Sequence, residues 1–361
     1  MLICPDKTPC VPAGDIRGFL LSDLNPSESA SYGGKVKDIY AGDWDVEIFS
    51  IIFGCHLTSL WPYDSWPGCV CRMGFFVLSG FLMSLVLTKK YGFSPSGLKD
   101  YAQNRFLRIY PSYIFSVILG IGVLFVLKRY HFETTVLNPA FQRPGSLYEF
   151  ISNFLMIPFA VGGLFVPVAS ALFVEVWAYA LMPFMAYSRH AAILGFLITL
   201  AGNIQYGITP ESFPIRYSGF ATGLLAFSVG SLTLHYYETL KRFGMPCTSV
   251  LVWCIHGVLW LFDPYYPWNY GLYISMFLSA WVVISLFPLK SSQLDKLLGD
   301  LSYPVYLLHT TAGMCIYFFF GQRSLLFFSA AFALTVILSY GVVRLIEKPL
   351  IRFKKQKTIH S

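Results

Sequence analysis

Residues 74–82 read GFFVLSGFL, and residues 104–113 read NRFLRIYPSY. The first is an uncharged aromatic run interrupted only by Ser79 and Gly80. It sits in a span over 70–88, close to the ~20 residues an α-helix needs to cross ~30 Å of hydrocarbon. The second places Arg105 and Arg108 three residues apart, just before Pro111. It reads as a basic turn at the foot of the next apolar run. Upstream, His56 lies near the middle of another apolar run, 46–61. An imidazole inside the bilayer and a guanidinium pair at its edge make a poor passive anchor. Ionisable groups in hydrocarbon cost about 2.5–3.5 kcal/mol each on insertion scales, and by default they mark function.

Composition agrees with a membrane setting. Of the 361 residues, 55% are hydrophobic and only 12% are charged, where a soluble domain carries about 25% charged residues. Charge is too scarce to cover a soluble surface. The expected fold class is therefore all-α, a polytopic transmembrane bundle of ten spans: 46–61, 70–88, 110–127, 168–187, 191–207, 217–234, 248–262, 270–289, 301–319 and 325–346. The shorter apolar run 150–161 reads as a re-entrant or interfacial helix. The expected organisation is a polar cytoplasmic segment (1–45), a transmembrane domain (46–347) and a basic cytoplasmic tail (348–361).

Loop charge sets the orientation. With both termini cytoplasmic, the inner segments hold 19 of the 26 Lys and Arg residues, as the positive-inside rule requires. The turns WPYDSWPG (61–68) and DPYYPWN (263–269) then face outward, rich in the Trp, Tyr and Pro of interface turns. The eight cysteines are scattered, and Cys69-x-Cys71 has neither zinc nor redox spacing. No metal site and no permanently bound cofactor are expected.

Several residues could carry chemistry. His56 can act as a general base, since a neutral imidazole with a pKa of ~6.5 can take a proton from an attacking hydroxyl. Taken alone, it serves equally well as a hydrogen-bonded core histidine. Arg105 and Arg108 share a helix face at their spacing. They can anchor topology, or they can grip phosphates bidentately, as coenzyme A would require. Lys89, Lys90 and Lys99 extend the same basic field. Ser79 and Tyr110 are added to this donor-binding set, although Ser79-Gly80 also serves plain helix packing. Glu175 stands in ALFVEVWAYALMPF (171–184) without another charge. It needs a partner, with His56 the natural catalytic one and Arg72 or the basic segment as competitors. Ser302, Tyr306 and His309 recur at four and three residues and line one face. Arg72, Tyr306 and His309 form the expected substrate-binding set.

In this order the motifs resemble the acyltransferase 3 family of integral membrane acyltransferases. The resembling pieces are His56, GFFVLSGFL (74–82), RFLRIYPSY (105–113), ALFVEVWAYALMPF (171–184), RYSGFATGLL (216–225), LGDLSYPVYLLH (298–309) and IEKPLIRF (346–353). The resemblance implies transfer of an acyl group, usually acetyl from cytoplasmic acetyl-CoA, to a hydroxyl of a glycan or other acceptor. It matches His56 to the family's catalytic histidine, and Arg105 and Arg108 to its basic motif. One departure stands out. The family usually has an arginine eleven residues before the histidine, and here that position is Asp45, while GDIRGFL carries Arg17 far upstream.

The expected function is an O-acetyltransferase of the bacterial inner membrane acting on a cell-surface or lipid-linked glycan, lipopolysaccharide among them. A transporter or flippase for a lipid-linked sugar is the alternative of another class, and a catalytically dead scaffold a third. A transporter has no use for a thioester-facing base.

Overall fold

The computed structural model describes residues 67–157, 162–209, 211–262, 266, 270–289 and 293–350. The chain divides into a unit of Met1–Asp43 and a unit of Trp44–Ser361, and all described residues belong to the second. The expected span 46–61, with His56 and Asp45, lies outside the described residues, as does the chain after 350.

Every regular element among the described residues is helical. Helix α1 (Pro67–Val86) runs into a π-helical turn, Leu87–Tyr91, which stops at Gly92 with φ 69°. Ser94 then caps α2 (Pro95–Arg129) by accepting from the Gly97 amide at 3.2 Å, with Pro95 in the first turn, where its missing N–H costs nothing. The basic segment read as a turn is instead the interior of this 35-residue helix, which continues through Pro111. Proline breaks helices in water, but a packed membrane helix tolerates it because its neighbours satisfy the freed carbonyl.

Helix α3 (Leu147–Leu155) is nine residues long, capped by Ser146 and ended by Met156 at φ 53°. At about 13 Å it cannot cross a bilayer. It keeps Leu147, Phe150, Ile151 and Leu155 exposed and falls partly in the run 150–161 read as re-entrant or interfacial. Then come α4 (Ala169–Tyr187), α5 (Arg189–Ile204), α6 (Phe213–Ser218), α7 (Phe220–His235) and α8 (Tyr237–Leu240). The order ends with α9 (Pro246–Phe262), α10 (Leu272–Leu286), α11 (Gln293–Phe320) and α12 (Leu325–Val342), which closes in a second π-helical turn, Val343–Glu347.

Among the described residues four helices are long and apolar enough to cross a membrane: Arg72–Tyr91, Pro95–Arg129, Ala169–Tyr187 and Leu325–Leu350. A fifth appears if Tyr237–Phe243 and Pro246–Trp260, bent by 85°, form one broken span. The ten spans drawn from hydropathy exceed this for physical reasons. Helices α5, α7 and α10 are apolar but have only 16, 16 and 15 residues. At 1.5 Å per residue they reach roughly 22–24 Å, short of ~30 Å of hydrocarbon. Gly219 splits the expected 217–234 span into α6 and α7. Helix α11 has the length, at 28 residues, but Tyr303, Tyr306, His309, Thr310 and Thr311 dilute its apolar character.

Helix α1 lies at the centre, packed most extensively on α7 and also on α4 and α10. The α1–α7 contact is a backbone contact. A Cβ on Gly80 would overlap the Phe227 carbonyl, and one on Gly230 would overlap the Val77 carbonyl. Ser84 donates to Ser231 at 2.8 Å across the same seam. Small residues are what membrane helices use to approach closely. Around the periphery, Phe125 is 75% exposed, Leu325 75% and Ile337 67%. Such surface belongs against lipid, and the chain is a membrane protein.

Gly80→Ala is expected to lower the thermal midpoint and the folded yield, because backbone cannot yield as a flexible side chain would; overpacking costs about 1–3 kcal/mol. Gly122 serves as control, because a methyl group added there would meet nothing within 4 Å. Gly122→Ala should hold or raise the midpoint, since alanine favours helix by up to about 1 kcal/mol. Equal melting of the two variants in detergent would refute the seam.

Candidate active site

Among the described residues Glu175 is the buried acid, 5% exposed on α4. Its Oε1 accepts from Ser79 Oγ of α1 at 3.4 Å and from the Tyr179 hydroxyl one turn along α4. A carboxylate taken from water needs such donors to offset its lost hydration. Tyr179 is fixed at its other end as well. Pro183 has no N–H to give the Tyr179 carbonyl four residues back, and the Tyr101 hydroxyl donates to that carbonyl at 3.2 Å. The proline thus opens the acceptor that ties α2 to α4.

The matching face of α2 carries Tyr101, Arg105, Arg108 and Ser112, spaced four, three and four residues apart. Arg108 and Arg105 both lie within electrostatic reach of Glu175. The Arg105 Nε is buried and has no hydrogen-bond partner. Beside it, Asn104 donates to the Tyr91 hydroxyl, Tyr91 packs edge-on against Tyr101 at 5.9 Å, and Lys90 lies 5.1 Å from the Tyr91 ring centre. Ser112 donates to Glu347 Oε1 at 2.7 Å, and Arg108 reaches that carboxylate electrostatically too. The basic face of α2 therefore bridges two acids, one on α4 and one in the turn after α12.

Helix α11 closes the other side. Tyr303 donates to the Ile109 carbonyl at 2.9 Å, and Tyr306 donates to the Val168 carbonyl. His309 is 1% exposed, with Nδ1 placed on the carbonyls of Tyr306 (2.8 Å) and Val305 (3.2 Å). Both carbonyls are acceptors, so Nδ1 carries the proton and Nε2 keeps the lone pair. Arg72 is near Tyr306 and lies 5.4 Å from the Phe76 ring centre and 4.8 Å from that of Tyr217.

The structure thus brings together Ser79, Glu175, Arg105 and Arg108, and, on the α11 side, Arg72, Tyr306 and His309. No described contact takes Tyr110 to the Glu175 cluster. Its ring stacks on the exposed Phe106 at 4.3 Å, on a side of α2 roughly 140° from Arg105 at 100° per residue. Ser302 turns back on its own helix, donating to the Gly299 carbonyl at 2.8 Å. The expected pairing of Glu175 with His56 falls on a residue outside the described set; among described residues the donors to Glu175 are Ser79 and Tyr179.

Sequence reasoning passed over three residues of this assembly and a buried histidine outside it. Tyr101, Tyr303 and Ser112 were legible only as helix-face neighbours of the residues already chosen. His256 of α9 was legible as a histidine in an apolar run. It is 2% exposed, with Nδ1 2.8 Å from the Tyr266 hydroxyl and Nε2 2.7 Å from Ser275 Oγ and 3.1 Å from Trp260 Nε1. Among the described residues no group of three or more His, Cys, Asp or Glu could hold a metal ion.

No curated protein and no solved structure is significantly similar to this chain. The model of one protein family, described as an acyltransferase domain, does match, over residues 25–344. That stretch takes in every helix of the buried cluster, and with it the membrane-embedded acid and the basic face opposite find their setting: this chain belongs to the acyltransferase 3 family.

Proposed function

We propose that the chain is a membrane-embedded O-acyltransferase, moving acetyl from cytoplasmic acetyl-CoA to a hydroxyl of a cell-surface or lipid-linked glycan in a bacterial inner membrane. Family membership supports acyl transfer. The observation that carries the rest of the reading is the convergence of Arg105 and Arg108 on Glu175, with the buried Arg105 Nε lacking an acceptor. Two guanidiniums suit the phosphates of coenzyme A, because their planar forks bind such oxygens in pairs.

In this reading the acceptor hydroxyl attacks the thioester carbonyl while His56 takes its proton. The tetrahedral oxyanion collapses, the C–S bond breaks, and the imidazolium returns the proton to the departing thiolate. Glu175 acts as a positioning residue: with Ser79 and Tyr179 it fixes α1 against α4, and its charge stabilises the imidazolium as it forms. Tyr306, His309 and Arg72 line the acceptor side.

His56→Ala is expected to abolish transfer by about 10²–10⁴-fold while membrane abundance stays near wild type; wild-type transfer by the variant would sink the reading. Arg105→Ala and Arg108→Ala should each weaken coenzyme A binding, and Lys at either position should restore only part of it. Unchanged titrations in both alanine variants would leave the pair as a topology anchor. Glu175→Gln keeps the shape and removes the charge, so kcat should fall with little change in KM for acetyl-CoA. A rise in KM alone would move Glu175 into the donor site.

A further inference from the structure

We infer that the acyl acceptor carries an anionic group, a carboxylate or a phosphate, and that Arg72 receives it. This rests on the acyltransferase reading above and adds the charge of the substrate to it.

Arg72 is 9% exposed, and its Nε and Nη2 are buried without a hydrogen-bond partner. The described ion pairs, Lys241–Glu238 and Lys348–Asp300, do not involve it. Its described contacts are with the rings of Phe76 and Tyr217. A ring face attracts the guanidinium plane with about 0.5–2 kcal/mol, but it accepts nothing from the N–H edge. Burying an ion costs several kcal/mol even after relaxation. A cation kept at that cost, with its N–H edge unused, fits an arriving anion: planar donors in a fork match the two oxygens of a carboxylate or phosphate.

The buried Arg216 and the half-buried Arg323 show what a structural role looks like here. Arg216 is fully buried, with Nε 3.2 Å from Ser212 Oγ and Nη2 3.2 Å from the Thr209 carbonyl, so that Nη1 is the one of its nitrogens buried without a hydrogen bond. Arg323 donates from Nη2 to the Val136 carbonyl at 2.9 Å. The Arg216 guanidinium lies 6.0 Å from the ring centre of Phe213, which stacks on Tyr217, so it adds positive charge near the same pair of rings. Tyr217 and Phe213 stack at 5.8 Å and 19°, a flat apolar wall of the kind on which the C–H face of a sugar ring packs. Arg72 also precedes Ser79 by seven residues of α1, about 10 Å along the helix. The anion is thus held apart from the Arg105 end, where the donor's phosphates belong.

The test uses the full chain purified in neutral detergent at fixed ionic strength. Thermal shifts are read with glucuronate, glucose 6-phosphate and glucose, for wild type, Arg72→Met and Arg72→Lys. Glucuronate or glucose 6-phosphate is expected to stabilise wild type, glucose to do much less, and Arg72→Met to weaken the anion response tenfold or more, with Lys intermediate. Ligand-free Arg72→Met should melt at or above wild type, because it loses an uncompensated buried charge; a lower midpoint would mark Arg72 as structural and overturn the inference. An equal response to glucose, or a full anion response in Arg72→Met, would overturn it as well. Phosphatidylglycerol added to the micelles separates the sources: if it stabilises through Arg72 as strongly as the sugars, the site belongs to lipid headgroups and the acceptor assignment falls. Coenzyme A is titrated in parallel. Failure of wild type to bind it strikes the donor reading alone, whereas its loss in Arg72→Met would move Arg72 to the donor side.

Discussion

Gly80 is where the bundle is pinned. Without a side chain it lets α1 lie directly on the Phe227 carbonyl of α7, and Gly230 returns the favour from the opposite helix. In lipid there is little hydrophobic drive between helices, so this close approach must supply the association through packing. Its neighbour Ser79 is thereby held towards α4, where its hydroxyl meets Glu175 at 3.4 Å. The close seam with α7 and a donor to the buried acid are one residue apart on α1. Neither is independent of the other, since rotating α1 to relieve the seam would withdraw the serine from the carboxylate.

The second constraint is the demand that polar groups be satisfied without water. Tyrosines meet it here by donating to backbone carbonyls of other elements: Tyr101 to Tyr179, Tyr113 to Asn153, Tyr303 to Ile109 and Tyr306 to Val168. Each bond ties a long helix to a neighbour at a fixed height. Asn153 of α3 does similar work, donating to the Glu149 and Gly163 carbonyls and accepting from the Phe165 amide. A hydroxyl-to-carbonyl bond carries no net charge, so it orients helices without the desolvation cost of an ion pair. Glu175 and Glu347 sit where the Arg108 guanidinium is within electrostatic reach.

The pattern of apolar runs made the all-helical class legible. The three-residue spacing of Arg105 and Arg108 correctly put them on one face. What hydropathy could not read was length in space. A window of apolar residues does not know that Gly219 ends α6 or that α10 stops after 15 residues. Nor could it tell that Pro111 lies inside a helix, because a proline after a basic stretch looks like a boundary until its neighbours are known. The tyrosine ties were hidden for a related reason. Tyrosine in a membrane sequence reads as an interfacial residue, and only the fold shows which carbonyl lacks a donor, as Pro183 leaves that of Tyr179.

Arg72 and Arg216 differ in how their guanidiniums are held. Both are buried cations beside Tyr217, and chain composition treats them alike. Arg216 spends its Nε and Nη2 on Ser212 and Thr209 within the same turn of chain, so its orientation is fixed by local bonds. Arg72 presents Nε and Nη2 to no described acceptor while Phe76 and Tyr217 cover its faces. Aromatic cover steers the fork without neutralising it, which lowers the entropy lost when an anion arrives and leaves the full charge to attract it. Arg105, with its own buried Nε unmatched, repeats that condition on α2. Of the two, only Arg105 lies within electrostatic reach of Glu175, whereas Arg72 lies near Tyr306 on the α11 side.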